Sequence, residues 1–175
     1  MNKQQALERV VEVMDDGHDG RITQATMDHY RNAANEGTSE KHLFKIAKVD
    51  GEPVGASVVM VKDNQATHSI TVVKRSHRRQ GIASKLVKAM LEECEKHEVK
   101  FSAGIAEDNT AAKGLMDKFD SEAPLAGSER ATRRSGEFTR LWYGAMPIKA
   151  AAIAGRVQIE DGEDEDEVLI ESVDD

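Results

Sequence analysis

The sequence predicts a mixed α/β fold with helices at its N-terminal end, a central sheet that runs antiparallel and then parallel, and an acidic C-terminal tail. Three observations carry this expectation. Helical periodicity fills most of residues 1–40, three β-branched runs separated by tight turns follow, and strand-like and helical stretches then alternate up to residue 146. Residues 1–147 are expected to form one domain and residues 148–175 a tail or docking segment.

In chain order, residues 2–15 place Ala6, Val10, Val13 and Met14 among charged residues, the pattern of an amphipathic helix. Asp15-Asp16-Gly17-His18-Asp19-Gly20 ends it. That run has part of the look of a calcium loop but lacks the later Glu that would close one, so a turn is expected. Residues 23–35 predict a second helix, with Met27, Tyr30 and Ala33 on one face and Gly37 as its stop. Strands are expected at 43–49, 54–61 and 66–73, joined by turns at Asp50-Gly51-Glu52-Pro53 and Asp63-Asn64. A helix over 84–96 buries Leu86, Met90 and Leu91, a buried strand at 99–106 lies parallel to 70–73, and a helix at 110–119 follows. Ala123-Pro124-Leu125 and residues 138–146 are the expected last strands, with a polar loop carrying Arg130, Arg133 and Arg134 between them.

Composition narrows the function classes. The net charge of −8 is concentrated at one end, where Glu160 to Asp175 holds ten acidic residues and no Lys or Arg. An acidic whole with few aromatics makes nucleic acid an improbable partner, although Lys74, Arg75, His77, Arg78 and Arg79 make a basic stretch. No apolar run is long enough to span a bilayer, and Met1-Asn2-Lys3-Gln4-Gln5 does not resemble a signal peptide, so a soluble cytoplasmic protein without membrane partners is expected. Cys94 is the only cysteine, which rules out an intrachain disulfide and a cysteine-based zinc site. No metal site is expected.

The most informative stretch is Arg78-Arg79-Gln80-Gly81-Ile82-Ala83. It lies where a strand hands over to a helix, so free backbone N–H groups and the helix dipole converge on one spot suited to a pyrophosphate. Gly81 and Ala83 let the backbone approach phosphate oxygens, and Arg78 and Arg79 can donate from the rim. A basic turn of this kind is also an ordinary solvated helix N-terminus. Its surroundings separate the two readings. His77-Arg78-Arg79-Gln80-Gly81-Ile82-Ala83-Ser84-Lys85-Leu86-Val87, followed by Asn109-Thr110-Ala111-Ala112-Lys113-Gly114-Leu115-Met116-Asp117-Lys118-Phe119, resembles the GNAT superfamily of N-acetyltransferases. The first segment matches that family's Arg/Gln-x-x-Gly-x-Gly/Ala loop and the second its Asn-x-x-Ala-x-x-Leu-Tyr-x-x-x-Phe helix. The resemblance covers about residues 43–146.

The resemblance implies a GNAT-like acyl-CoA N-acyltransferase fold, acetyl-CoA as cosubstrate, and acetyl transfer to a primary amine by direct attack. It implies two parallel strands that splay apart to admit the pantetheine arm, whose amides pair with backbone at Thr71, Val72 and Val73. The pyrophosphate would sit on Arg78, Arg79, Gln80, Gly81, Ile82, Ala83 and Ser84, with Asn109 and Ala112 beside the arm; Asn109 is equally a helix N-cap. Three departures stand out. No first strand precedes the helices, Ile70 stands where an acidic base is frequent, and Met116 replaces the motif Tyr. His68 is the nearest candidate base, or else a surface histidine, and Tyr143 is a candidate proton donor, or else a core aromatic. The departures also motivate a non-catalytic binding or structural protein on this fold, such as a component of a viral or other assembly. For the tail, three roles are expected alternatives: a disordered solubilising segment, a docking segment in which Val168, Leu169, Ile170 and Val173 meet a protein partner or a sheet edge, or an arm folded onto the Arg surfaces.

Overall fold

The computed structural model describes residues 1–133, 136–144 and 169–172, with residues 67, 68, 133 and 169–172 described by their backbone alone. Helix α1 (Lys3–Gly17) opens on a capping box. Asn2 Oδ1 accepts from the Gln5 amide at 2.9 Å and Gln5 Oε1 accepts from the Asn2 amide at 3.0 Å, so two otherwise orphaned donors are satisfied. Thr23 caps α2 (Gln24–Glu36), which stops at Gly37 with φ 82°. The turn that follows α1 holds His18, Asp19 and Gly20, inside the turn the sequence predicts, and α1 runs two residues beyond the expected helix end at residue 15.

Strands β1 (Lys41–Val49), β2 (Glu52–Lys62) and β3 (Gln65–Val73) form an antiparallel meander. Both hairpin turns use two left-handed residues, Asp50-Gly51 and Asp63-Asn64, whose twist matches that of the strands they join. Alternation along the strands divides the core in two. Phe44, Ile46, Ala56, Val58, Ile70 and Val72 pack beneath α1 and α2, while Leu43, Ala47, Val59 and Val73 pack against α3 (Ile82–Lys96) on the opposite face. A half-buried ion pair fastens α3 to β1, with Lys45 Nζ 3.0 Å from Glu93 Oε2, and Glu93 Oε1 also meets His97 Nε2 at 3.0 Å. Burial alone would raise the Glu93 pKa, but Lys45 and His97 outweigh it and hold the carboxyl below its usual range.

The second half builds a separate sheet from β4 (Ser102–Ala106), β5 (Leu125–Arg133) and β6 (Gly136–Gly144), in the order β4-β6-β5, with α4 (Thr110–Asp117) packed on it. Two expectations need correction here. The segment expected as a polar loop, including Arg130 and the backbone of Arg133, is strand β5, which pairs antiparallel along β6. It is an edge strand without a fully buried face, so an apolar alternation signal has nothing to register. The sheet is also divided in two, and the one parallel bridge between its halves among the described residues, Gln65 with Lys100, lies just before β4.

The first sheet has the order β3-β2-β1-β7, where β7 (Leu169–Ser172) comes from the acidic tail and pairs antiparallel with β1. Among the described residues no strand precedes α1, and the outer edge of β1 is covered from the other end of the chain. Of the three tail roles, pairing with a sheet edge holds for residues 169–172. Val168, Val173, Arg134 and the rest of the segment beyond Gly144 lie outside the described residues.

An open β1 edge would present unpaired N–H and C=O groups. A chain truncated before residue 169 is therefore expected to melt at least ~3 °C lower, the shift that about 1 kcal/mol makes at this size. It should also self-associate with rising concentration, which calorimetry and light scattering check together.

Candidate cofactor cleft

The two sheets meet at one end and part at the other. At the closed end the Ala66 amide donates to Lys100 O at 3.0 Å, the Lys100 amide donates to Asn64 O at 3.0 Å, and the Ser69 hydroxyl donates to Ser102 O at 2.8 Å. Beyond Ser69 no backbone pairing joins β3 to β4 among the described residues. A gap therefore opens between Thr71–Val73 on one side and Gly104–Ala106 on the other. On the β4 side, the buried indole of Trp142 lies over Gly104, where a Cβ would come 2.7 Å from the ring.

Backbone alternation decides which groups of β3 face the gap. The Lys74 amide donates to Val54 O at 2.8 Å, so Lys74 and Val72 direct their main-chain groups toward β2, and Thr71 and Val73 direct theirs outward. Of the three residues expected to pair with a cofactor arm, Val72 is thereby turned to β2. Thr71 also holds its hydroxyl 2.9 Å from that of Ser57.

The loop over the gap mouth is set by packing on both sides. A short 3-10 turn at Arg75–His77 leads through Arg79 (φ 62°) to Gly81 (φ 74°, ψ 9°), the N-cap of α3. Gly81 brings no side chain to cap the helix, so the amides of its first turn form an anion-attracting tip. The side chains of Ile82 and Ala83 point into the core, and Ile82 and Leu86 sit on Gly55, where a Cβ would lie 2.9 Å from Leu86 Cδ1. Gly55 pairs with Val73, so the α3 tip stands at the lip of the gap.

The arginines divide their work. Arg78 is not a rim donor: its Nη1 is bonded to Asp19 Oδ2, its Nη2 donates to Gly17 O at 2.8 Å and its Nε donates to Val73 O at 3.3 Å. Asp19 also takes Arg75 Nε at 2.9 Å, and Asp16 accepts the Arg75 amide at 2.8 Å. Burial pushes the Asp19 pKa up, but the two guanidiniums more than reverse this and leave it lowered. Lys74 pairs with Glu12 at 3.0 Å. Arg79 is exposed beside Gln80 and remains at the rim.

Asn109 follows β4 and caps α4, with Oδ1 accepting from the Ala112 amide at 3.3 Å; Ala112 itself is buried. Ile70 and Met116, the departures from the motif, are both core residues. Tyr143 lies in the apolar core with Ala103 and Met116, and burial, with Asp117 and Asp120, makes its phenol harder to ionise. His68 is paired by its backbone with Met60, and its side chain lies outside the described residues. Cys94 is buried, its thiol pushed up to about 12 by burial and then by Glu93, as befits an inert core thiol. Sequence reasoning missed Gly17, Gly55, Asp16, Asp19 and Ser69. The acidic turn and the basic stretch were both visible, but nothing in one dimension says that they meet.

Comparison with known proteins agrees with this geometry. A family model described as Acetyltransferase (GNAT) family matches residues 7–120. No curated protein matches in sequence. Among solved structures, the ribosomal-protein-S18-alanine N-acetyltransferase from Escherichia coli is similar with a TM-score of 0.60 and 16% identity, over 79% of this chain and 85% of that one. NAA60 from Arabidopsis thaliana, in complex with a bisubstrate analogue, gives 0.58 and 14%, over 82% and 94%. PaiA N-acetyltransferase from Thermoplasma acidophilum, in complex with coenzyme A, gives 0.50 and 13%, over 81% and 94%. At these identities the likeness is one of fold.

Asp19→Asn removes the charge that binds Arg75 and Arg78 to the α1–α2 turn. The lowered carboxyl pKa contributes stability above the ordinary value of 3.8, and that stability is lost as pH falls through the lower folded value. The variant should melt about 3 °C below wild type at pH 7. Thermal melts should converge as pH falls well below 3.8.

Proposed function

The chain belongs to the GNAT family of acetyltransferases, and from that premise we propose that it transfers the acetyl group of acetyl-CoA to a primary amine by direct attack in a ternary complex. The observation that carries the proposal is the uncapped α3 tip at the lip of a gap whose β3 wall turns the backbone of Thr71 and Val73 outward. Those residues fit the cosubstrate in two parts. The first-turn amides of α3, the freedom at Gly81 and the exposed Arg79 suit a pyrophosphate, and the outward backbone of β3 suits an amide-bearing arm that adds to the strand.

In this reading each reacting group has a task. The amine attacks the thioester carbonyl, a proton leaves the amine, the oxyanion of the tetrahedral intermediate needs a donor, and the CoA thiolate departs. His68 pairs with Met60 at the closed end of the gap, five residues and so about 16 Å before Val73 in β3, and is given no part in the transfer; the amine's proton passes to solvent. Val73 N–H, on the gap side of the strand, is our assignment for the oxyanion donor. The departing thiolate is a tolerable leaving group and takes its proton from solvent. Tyr143, packed in the core and hard to ionise, is given no part in the transfer.

Nucleic acid is disfavoured as acceptor by the pairing of Lys74, Arg75 and Arg78 with Glu12, Asp16 and Asp19, which neutralises much of the basic stretch. Protein N-termini, lysine side chains and small polyamines are the acceptors to screen. The similarity to the Escherichia coli ribosomal-protein-S18-alanine N-acetyltransferase motivates including peptides with a free N-terminal alanine in that screen.

The test is calorimetric titration of acetyl-CoA into wild type, Gly81→Glu and Arg79→Glu, followed by an acceptor screen with His68→Ala. Gly81→Glu adds a carboxylate at the tip and should weaken binding by more than ~100-fold, about the effect of two strong charge-assisted contacts. Arg79→Glu tests the same rim without changing a glycine and should cost ~10-fold. His68→Ala, at the closed end of the gap, should leave both kcat and acetyl-CoA affinity unchanged. Failure of folded wild-type protein to bind acetyl-CoA would overturn the proposal in favour of a non-catalytic role for this fold.

A further inference from the structure

We propose that His29, Glu40 and His42 form a binding site for a divalent transition-metal ion of the zinc class, clamping α2 to the start of β1. The three side chains come together because of local geometry. Glu40 lies in the bend just before β1 and His42 is the second residue of that strand, while His29 sits in the middle of α2, next to Tyr30, whose ring meets that of His42. Their ligand atoms all lie within 4.8 Å of one another, and this is the one such convergence of His, Cys, Asp and Glu among the described residues.

The details match a ligand set better than a hydrogen-bonded one. His29 Nε2 and Glu40 Oε2 are 3.7 Å apart, beyond a hydrogen bond. That spacing is close to the ~3.3–3.5 Å edge between two ligands held tetrahedrally at about 2.0–2.1 Å from one ion. His42 Nδ1 lies 3.2 Å from the Glu40 carbonyl. Donation there places the lone pair on Nε2, the arrangement in which a backbone carbonyl orients a ligating imidazole.

The three ligands also differ usefully in freedom. His42 is buried, stacks on Phe44 with ring centroids 5.5 Å apart and meets the Tyr30 ring edge-on at 5.9 Å, so its orientation is fixed. His29 and Glu40 are partly exposed, with side-chain accessibilities of 33% and 49%, so they can contract around an ion without repacking the core. Two imidazoles and one carboxylate suit zinc-class ions, and three protein ligands leave a fourth position for water. The opposing charge is Lys3, whose ammonium donates to the Thr38 and Glu40 carbonyls; the Glu40 carboxylate offsets it.

The site is independent of the cleft. His42 pairs with Met60, whereas the lip of the cleft is at the other end of the sheet, where Gly55 pairs with Val73. An ion there would tie the α1–α2 layer to the sheet instead of taking part in acyl transfer.

The experiment is a titration of tag-free protein with Co²⁺, read by its visible absorption, and with Zn²⁺ against a chromophoric chelator, alongside thermal melts. One equivalent is expected to bind, with tetrahedral Co²⁺ bands and a melting temperature that rises with free Zn²⁺. His29→Gln and Glu40→Gln, both at partly exposed positions, should each weaken binding by more than ~10-fold, the loss that even an outer partner of a ligand commands. Both should melt as wild type does without metal. Wild-type affinity no higher than that of the variants, or an equivalent that persists in both, would overturn the proposal.

Discussion

The crowding at Val73 is the constraint on which the rest of the cleft depends. Its carbonyl is approached from one side by Gly17, where a Cβ would come within 2.5 Å, and is bonded by Arg78 Nε at 3.3 Å. Its partner in β2 is Gly55, the only side chain small enough to let Ile82 and Leu86 settle on that strand. Two glycines on two elements therefore bring the end of α1 and the start of α3 to the last residue of β3. Any larger side chain at either position would lift a helix end away from the gap. The position of the α3 tip thus comes from steric permission in the core, and its electrostatic use follows from that position.

Electrostatics then locks the arrangement. Glu12, Asp16 and Asp19 come from α1 and the turn after it, and Lys74, Arg75 and Arg78 from the segment between β3 and α3. Exposed pairs of this kind contribute little singly, but Arg78 is held at three points, and its side chain is only 14% accessible. Its bonds to a carboxylate and two carbonyls remove conformational freedom from the loop before any ligand arrives. The same pairing explains why a chain with a strongly basic stretch presents so little unneutralised charge there: Arg79 is left to meet an anion.

Legibility in the sequence follows the physical origin of each feature. The hairpins at Asp50-Gly51 and Asp63-Asn64, the stripes of α1, α2 and α3, and the strand–loop–helix unit around Gly81 are local patterns, and they were legible to within a few residues. Strand β5 was not, because a half-exposed edge strand carries no apolar face. The role of Arg78 was misread for a related reason, since a rim arginine and an anchoring arginine look alike until Asp19 is folded beside them. The pairing of residues 169–172 with β1 was one of three open choices; hydrophobic islands in an acidic tract mark a docking strand without naming its edge. The motif departures at Ile70 and Met116 were seen, and their burial explains them as packing residues of two different cores.

The two cores account for how one sheet can be rigid and yet part from its neighbour. Side chains from alternate positions of β1, β2 and β3 bury themselves against α1 and α2 on one face and α3 on the other, so β3 is held from both faces along its length. Strand β4 is held differently, by β6 on one edge and by α4 through Ala103 and Ile105. Among the described residues, the hydrogen bonds that join this side of the two sheets are those at Ala66, Lys100 and the Ser69 hydroxyl. The two strands share one apolar cluster, so what separating their far ends forgoes is the backbone bonds that would otherwise have closed the gap. The outward groups of Thr71 and the Val73 N–H are what an incoming amide can pair with, and in this sense the cleft is the part of the sheet that the two cores leave unfinished.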